Sequence, residues 1–232
     1  MRYYPEVKKA IGASEKIFEY LDRKPKIPPS GSLAPENLSG HIRFKNVRFS
    51  YSGKTEENNL VLKGVSLEVK PGQITALVGL NRSGKTTCVK LLERFYQPQA
   101  GEILLDGEPL LSYKDQFLRQ KIAVVSQDCV LFARSVRENI KYGSHRHRQS
   151  FNQKKPKILI LDNATSDLDT ENEYQVHESL TKLAKSCSVL MISNKMSIVE
   201  KANHIIVLNN GAVTEEGSHE ELMKKSGHYA EM

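Results

Sequence analysis

The sequence predicts an α/β fold, in which helices pack on a sheet of mostly buried, parallel strands. Apolar runs of the buried-strand type recur along the 232 residues, at 74–78, 122–126, 158–162, 189–193 and 204–208. Residues 173–184, between two of these runs, place apolar side chains on one helical face: Val176, Leu180, Leu183 and Ala184. A glycine-rich segment joins the first run to another helical pattern over 88–95. These repeated units indicate one α/β domain with a short appendage.

The appendage is the segment that precedes the domain. Residues 1–22 are predicted to contain an amphipathic helix, because they form a largely apolar helical stripe of Val7, Ala10, Ile11, Ser14, Ile17, Phe18 and Leu21. Residues 23–40 are predicted to be a linker, since their prolines lack N–H donors and fix φ. The domain proper is then expected over residues 41–232.

Antiparallel strands are expected where this domain begins. Residues 41–51 nearly alternate between apolar and polar, with a slip that predicts a bulge near Asn46. Residues 65–69 alternate cleanly, and residues 101–107 form a strand that ends in an Asp-Gly turn. We therefore expect an antiparallel β subdomain on the N-terminal side, with 41–51 and 65–69 flanking the buried strand 74–78.

The loop after the first buried strand has a specific pattern. It reads Gly79, Leu80, Asn81, Arg82, Ser83, Gly84, Lys85, Thr86 and Thr87, which fits Gly, any four residues, Gly, Lys, Ser or Thr. Such a loop wraps closely around phosphate groups, towards which it turns its N–H groups and the start of the next helix. We predict a P-loop NTPase fold, in which Gly79 and residues 81–87 bind the phosphates. A glycine-containing turn with a chance lysine does not account for both flanks.

Roles within this loop follow from side-chain chemistry. Lys85 is predicted to reach the β and γ phosphates, and the Thr86 hydroxyl is predicted to bind Mg²⁺. A second candidate metal residue is Asp162, which ends a strand of four apolar residues, the Walker B pattern. The alternative role for Asp162 is to cap a following helix.

The residues around Asp162 carry a family resemblance. The run Asp162-Asn163-Ala164-Thr165-Ser166-Asp167-Leu168-Asp169 resembles the Walker B and D-loop segment of ABC transporters. Gln127 stands at the position of their Q-loop glutamine, beside the metal, and Tyr51 at that of the aromatic residue that stacks on adenine. The chain is most similar to half-transporters of the TAP type, the transporter associated with antigen processing. The resemblance implies a RecA-like ABC core that binds ATP and Mg²⁺.

The resemblance also implies partners and a location. In this family, two nucleotide-binding domains dimerise head to tail, and each ATP site combines one P-loop with the partner's signature loop. Closure of the dimer drives peptide across the endoplasmic reticulum membrane. Residues 1–22 would connect to an absent transmembrane domain, on the cytosolic face of that membrane. The chain as it stands has no apolar run of about 20 residues and is expected to be soluble and cytosolic.

Three departures from the family concern catalysis. The helical subdomain, with its Leu-Ser-Gly-Gly-Gln-like signature, is missing, and the join at 144–157 is a short, polar and basic stretch. Asn163 stands at the position of the catalytic acid, although an amide cannot accept the proton of the attacking water. Asn194 stands at the position of the switch histidine. We expect a chain that binds ATP with Mg²⁺ but hydrolyses it poorly.

Other functions are consistent with some of the same residues. A truncated, non-catalytic regulator of a full-length half-transporter shares the fold and stays open. A GTPase-like switch is suggested by Asn194-Lys195, but Ser197 stands where such proteins need Asp. The net charge of +7 is spread along the chain, so we expect no nucleic-acid partner. His145 and His147 lack neighbouring acids or cysteines and form a poor metal site.

Overall fold

The structure is a computed structural model, and it describes residues 4–23, 31–53, 59–126, 131–142, 156–164 and 169–232. Several sequence predictions lie wholly or partly outside these ranges. Gln127 is not described, and of the join at 144–157 only Pro156 and Lys157 are described. Residues 24–30 of the predicted linker and residues 165–168 of the run that resembles a D-loop also lie outside the described ranges.

The elements alternate as the sequence predicts. The helices are α1 (Tyr4–Leu21), α2 (Lys85–Leu92), α3 (Asp115–Lys121), α4 (Val136–Lys141), α5 (Thr170–Ala184), α6 (Met196–Val199) and α7 (His219–Lys225). The strands are β1 (Ile42–Phe49), β2 (Leu62–Val69), β3 (Ile74–Val78), β4 (Ala100–Leu105), β5 (Glu108–Pro109), β6 (Ile122–Val125), β7 (Ile158–Asp162), β8 (Ser188–Ile192), β9 (His204–Asn209) and β10 (Ala212–Gly217).

The larger sheet has six strands in the order β10-β9-β3-β8-β7-β6. Strands β9, β3, β8, β7 and β6 run parallel, and only β10 is antiparallel to its neighbour. Side chains of β3 alternate between two apolar clusters: Leu77 packs in one, and Ala76 and Val78 pack in the other. Because both faces are covered, every residue of β3 and of β8 is buried. The predicted α/β fold with a parallel core is confirmed.

The smaller sheet has four antiparallel strands in the order β2-β1-β4-β5. The bulge predicted near Asn46 is confirmed, because the β1–β2 register shifts between Phe44 and Val47 and Asn46 has a φ of 48°. The antiparallel β subdomain is therefore confirmed as well. It lies on the N-terminal side as predicted, but the expectation that residues 41–51 and 65–69 flank β3 was wrong. The neighbours of β3 are β8 and β9, while β1 is an interior strand between β2 and β4.

Two further details differ from the sequence prediction. Strand β6 forms where predicted, but none of its residues is fully buried, because among the described strands it ends the sheet and pairs only with β7. On α5, Leu180 and Ala184 are buried as expected, whereas Leu183 is 48% exposed. Leu183 lies to one side of the line that Leu180 and Ala184 form, so the predicted apolar face is wider than the face that makes contact.

The N-terminal segment folds into a helix over the predicted residues. Its apolar residues Val7, Ile11, Ile17, Phe18 and Leu21 are exposed. Within the described ranges, no helix combines the length and apolar character that crossing a membrane requires. The second part of the predicted linker packs on the domain: Leu38 is buried, and the Asp106 carboxylate accepts hydrogen bonds from the N–H groups of residues 39–41.

Candidate nucleotide site

The predicted site residues lie along one edge of the parallel sheet. Strands β3, β8 and β7 are adjacent and parallel, so their carboxyl ends share this edge. The P-loop follows β3, Asp162 ends β7 and is followed by Asn163, and Asn194 comes two residues after β8. Ligands of open α/β sheets bind at the carboxyl ends of the strands. The fold therefore brings the described candidate residues of the core sheet to the edge where a ligand is expected.

The P-loop is held closely between two strands. A Cβ at Gly79, where φ is 146°, would lie 2.0 Å from the Leu208 carbonyl oxygen of β9. A Cβ at Gly84, where φ is 108°, would lie 2.6 Å from Cδ2 of Leu62 on β2. Only glycine combines this space with this backbone conformation. Arg82 also has a positive φ, of 67°, which is uncommon for a residue with a bulky side chain.

Lys85 is enclosed by the loop that precedes it. Its Nζ donates hydrogen bonds to the carbonyl oxygens of Gly79, at 2.7 Å, and Leu80, at 2.9 Å, and the residue is 7% exposed. Burial lowers the pKa of Lys85, and the nearby Asp162 carboxylate acts in the opposite direction. A poorly solvated ammonium at the start of α2, where helix N–H groups lack acceptors, is an electropositive site for an anion.

Thr86 and Asp162 come together at the start of α2. The Thr86 hydroxyl is hydrogen-bonded to the Asp162 carboxyl group. Burial raises the pKa of this carboxyl group, and the opposing effects of Thr86, Lys85 and Lys90 are smaller. Among the described residues, Oδ1 of Asp162 is buried and has no hydrogen-bond partner. A hydroxyl beside an unpartnered carboxylate oxygen fits Mg²⁺, a hard cation that prefers oxygen ligands. Bound there, the ion would neutralise phosphate charge.

These two oxygens alone would not hold a metal ion. In the described part of the chain, no group of three or more His, Cys, Asp or Glu side chains forms a metal site. Mg²⁺ is commonly bound by one or two protein oxygens together with substrate phosphates. The donor set therefore fits a metal that arrives with a nucleotide.

Tyr51 reaches the P-loop from the antiparallel sheet. Its hydroxyl oxygen is 3.1 Å from Oγ1 of Thr87, so the two groups share a hydrogen bond. Tyr51 is 47% exposed, which leaves part of its ring open to a ligand beside the loop. Ser83 is buried, with its Oγ 3.4 Å from Nζ of Lys85, whereas Asn81 is exposed.

The two asparagines at the proposed catalytic positions lie on neighbouring strand ends. Asn163 has a φ of 51°, and its N–H donates to the carbonyl oxygen of Ile192, the last residue of β8. Asn194 is exposed and begins a loop that is tied to α5 through Glu173. Ser197 donates to Glu173 at 2.5 Å, and Nζ of Lys195 lies 3.5 Å from the same carboxylate. The backbone of Asn163 is thus hydrogen-bonded to β8, and the residues that follow Asn194 are bonded to α5.

The sequence analysis did not predict that three further side chains lie near this site, those of Lys90, Glu93 and Tyr96. Lys90 interacts with Asp162 and lies 5.6 Å from the centroid of the Tyr51 ring. Burial and the Asp162 carboxylate raise the pKa of Glu93. The signal for Lys90 was its spacing, because Thr87 and Lys90 are three residues apart and share one face of α2.

Two cavities in the described part of the chain lie away from the P-loop. Among the described residues, a cavity of about 320 Å³ lies on the antiparallel sheet beside Asp106, and one of about 250 Å³ lies beside α3. Neither is lined by P-loop residues. Cys88, directly after the loop, takes no part in surface chemistry, because burial raises the pKa of its thiol to about 12.

A P-loop at the carboxyl edge of a parallel sheet, with an antiparallel sheet packed against it, defines a nucleotide-binding domain of the ABC ATPase type. Residues 62–206 match the family model described as "ABC transporter". This match covers more than half of the chain, which therefore belongs to the ABC transporter family.

Individual relatives agree with this assignment. The chain is 40% identical to antigen peptide transporter 1 of Rattus norvegicus over 277 positions, which cover 99% of this chain and 38% of that protein. It is 37% identical to the ABC-type oligopeptide transporter ABCB9 of Mus musculus, over 99% of this chain and 36% of that protein. The chain thus spans a little over a third of the length of these relatives.

A solved structure shows the same fold. It is described as a bacterial Atm1-family ABC exporter with ATP bound, and it matches with a TM-score of 0.82 at 27% identity. The match covers 98% of this chain and 47% of the exporter chain. Domains of this family bind ATP with Mg²⁺, dimerise and pair with transmembrane domains.

Proposed function

We propose that this chain binds ATP with Mg²⁺ at the edge formed by the P-loop and the end of β7. The observation that carries the proposal is the arrangement of Lys85, Thr86 and Asp162. A buried ammonium lies at the start of α2, and an unpartnered carboxylate oxygen lies beside a hydroxyl. The first can bind phosphate oxygens and the second can bind the metal. Tyr51 is exposed on the same side of the loop and would stack on the adenine ring.

A titration with a fluorescent ATP analogue tests this proposal. Replacing Lys85 with alanine removes a charged hydrogen-bond donor, so we expect affinity to fall by about tenfold or more. Lys70→Ala is the matched control, because Lys70 is an exposed lysine in the turn between β2 and β3 and should leave affinity unchanged. The proposal fails if the wild-type chain does not bind, or if it binds as well without Lys85.

The finer role we propose is that of the ATP-binding domain of a TAP-type half-transporter. Its relatives include an antigen peptide transporter and an oligopeptide transporter, so peptide is the proposed cargo of the whole protein. Its proposed partners are a second nucleotide-binding domain and a transmembrane domain, to which α1 would connect. The proposed location is the cytosolic face of the endoplasmic reticulum membrane. Peptide uptake into microsomes that carry the whole transporter would test the cargo, and uptake unaffected by Lys85→Ala would contradict the role.

We also propose that the chain hydrolyses ATP poorly. The amides of Asn163 and Asn194 cannot accept a proton at the two catalytic positions. The alignment with the rat transporter runs over 277 positions, although the chain has 232 residues, so at least 45 positions have no residue of this chain. Because the alignment includes 99% of the chain, these positions fall within it rather than beyond its ends. This gap supports a missing helical subdomain at the join 144–157.

Steady-state turnover of the purified chain tests this second proposal. We expect turnover close to background for the wild type, and no improvement from Asn163→Glu alone, because a chain without a signature loop cannot complete a partner's site. Adding an intact nucleotide-binding domain supplies that loop, and Asn163→Glu should then raise turnover by about 10- to 100-fold. Fast turnover by the isolated wild-type chain would contradict the proposal.

A second candidate function is favoured by the same alignment gap. A chain that binds ATP but has no signature loop would bind a full-length half-transporter in place of its normal partner. The resulting pair would not support transport. Co-expression with an intact half-transporter should then reduce peptide transport, and Lys85→Ala should relieve the inhibition. Unchanged or increased transport would contradict this role.

A further inference from the structure

Three aromatic side chains pack against one another beside the P-loop. Phe49 ends β1, Tyr51 lies in the turn that follows, and Tyr96 comes after α2; we refer to them as the aromatic cluster. Ring centroids are 5.0 Å apart for Phe49 and Tyr51, 5.1 Å for Tyr51 and Tyr96, and 5.5 Å for Phe49 and Tyr96. The Tyr51 ring is nearly perpendicular to both neighbours, at 84° and 88°. These are favourable edge-to-face contacts.

The members of the cluster differ in exposure. Phe49 is buried at 2%, whereas Tyr51 is 47% exposed and Tyr96 is 40% exposed. The two tyrosines therefore pack on the buried ring of Phe49. The tyrosines present ring surface to solvent next to the phosphate loop.

The cluster is tied to the P-loop helix through Tyr51. Its hydroxyl is bonded to Thr87, and Nζ of Lys90 lies over its ring at 5.6 Å from the centroid. Thr87 and Lys90 are on one face of α2, and Tyr96 follows the same helix. The orientation of the Tyr51 ring relative to the P-loop is thus set by Thr87 and Lys90 of α2 and by Tyr96.

We propose that Tyr96 is a positioning residue, which holds the Tyr51 ring in the orientation that stacks on the base of a bound nucleoside triphosphate. This inference rests on the proposed function. A half-exposed tyrosine can adopt several rotamers, and fixing one of them on binding costs free energy. A neighbouring ring at 88° fixes the rotamer in advance. Tyr96 acts on the base through Tyr51, and it has no role in binding the phosphates.

The proposal predicts a selective loss of affinity. Tyr96→Leu keeps an apolar side chain but removes the edge-to-face contact, which in aromatic pairs corresponds to a factor of about 2 to 10 in an equilibrium constant. We expect Tyr96→Leu to weaken ATP binding by this factor and to leave the binding of inorganic triphosphate unchanged. Tyr96→Phe retains the ring and should bind ATP as the wild type does.

A double-mutant cycle tests whether Tyr96 acts through Tyr51. Dissociation constants for ATP and for inorganic triphosphate, both with Mg²⁺, are measured by calorimetry for the wild type, Tyr96→Leu, Tyr51→Leu and the double variant. If Tyr96 only positions Tyr51, its substitution has no further effect once Tyr51 is gone. Additive losses would overturn the proposal, because Tyr96 would then contact the base directly.

The remaining outcomes separate this inference from the proposed function. Equal losses for ATP and inorganic triphosphate, or no loss for either, would overturn the positioning role while leaving ATP binding intact. A wild-type chain that binds neither ligand would overturn both. If Tyr96→Leu does not fold, Tyr96→Met supplies a second non-aromatic variant for the same comparison.

Discussion

The centre and one edge of the six-stranded sheet differ in how completely they are covered. At the centre, beside the P-loop, every residue of β3 and β8 is buried, and the loop itself is fixed between β2 and β9. At the β6 edge, no residue of β6 is fully buried, and Val125 is 39% exposed. Segment 131–142, which follows β6 in the sequence, exposes further apolar side chains, those of Leu131, Phe132 and Val136.

The difference indicates that the centre and the β6 edge have separate structural requirements. Parallel strands normally lie in sheets that are covered on both faces, so a partly exposed β6 is unusual. Among the described residues, the contacts that shape the P-loop come from β2, β9 and β7. Loss of a subdomain beside β6, as we propose, would therefore leave the phosphate site in place, which is why we propose ATP binding and poor hydrolysis separately.

The largest effect should come from Gly79→Ala, beside the covered centre of the sheet. The new Cβ would lie 2.0 Å from the Leu208 carbonyl oxygen, and a backbone atom in a buried strand cannot move aside. We expect a loss of at least about 3 kcal/mol in the free energy of unfolding, or a chain that does not fold.

Gly107→Ala is the matched control for this prediction. Gly107 also has a positive φ, of 89°, but no atom lies within 4 Å of a Cβ built there. It should lose only the conformational cost, about 1–2 kcal/mol. Denaturant titrations of both variants measure the difference, and equal losses would show that the P-loop is less closely held than its contacts indicate.

A pair of identical substitutions compares the centre of the sheet with its β6 edge directly. Val189 on β8 is fully buried, and Val125 on β6 is 39% exposed. Val189→Ala removes packed apolar surface and should cost about 2 kcal/mol, whereas Val125→Ala should cost less than about 1 kcal/mol. Denaturant unfolding of the two variants measures both costs. If Val125→Ala is as costly as Val189→Ala, then β6 is covered in solution and the contrast between the centre and the β6 edge is wrong.

The parts of this fold that the sequence predicted well depend on local pattern. Strand β7 has the predicted limits because four apolar residues end at an acid. The bulge at Asn46 was visible because a strand with one buried face must alternate, so a single slip marks an extra residue. The P-loop could be placed because its strand and helix adjoin it in sequence.

The remaining features depend on contacts between distant segments. The pattern of β1 shows one apolar face but not which strands pair with it, and its partner β4 is far along the chain. The exposure of β6 likewise depends on neighbours that its own apolar residues do not specify. Tyr96 reaches the nucleotide site only because the end of α2 packs against the end of β1. No spacing rule connects it with Tyr51.

The smallest effect should come from Asp162→Asn, and it concerns the charge beside the P-loop. The structure leaves Oδ1 of Asp162 buried and without a partner among the described residues, and burial raises the pKa of this carboxyl group. A neutral amide of the same shape relieves the cost of a poorly solvated charge. Without ligand, we expect the unfolding temperature to rise by about 1–3 °C.

The same substitution should remove an effect of the metal. In the wild type, ATP with Mg²⁺ should raise the unfolding temperature more than ATP with EDTA, because the ion binds the folded site. In Asp162→Asn this difference should disappear, while Glu102→Gln, at an exposed carboxylate, should retain it. Thermal scans with and without Mg²⁺ measure both parts. A variant that unfolds at a lower temperature and still responds to Mg²⁺ would show that Asp162 stabilises the fold and does not bind the ion.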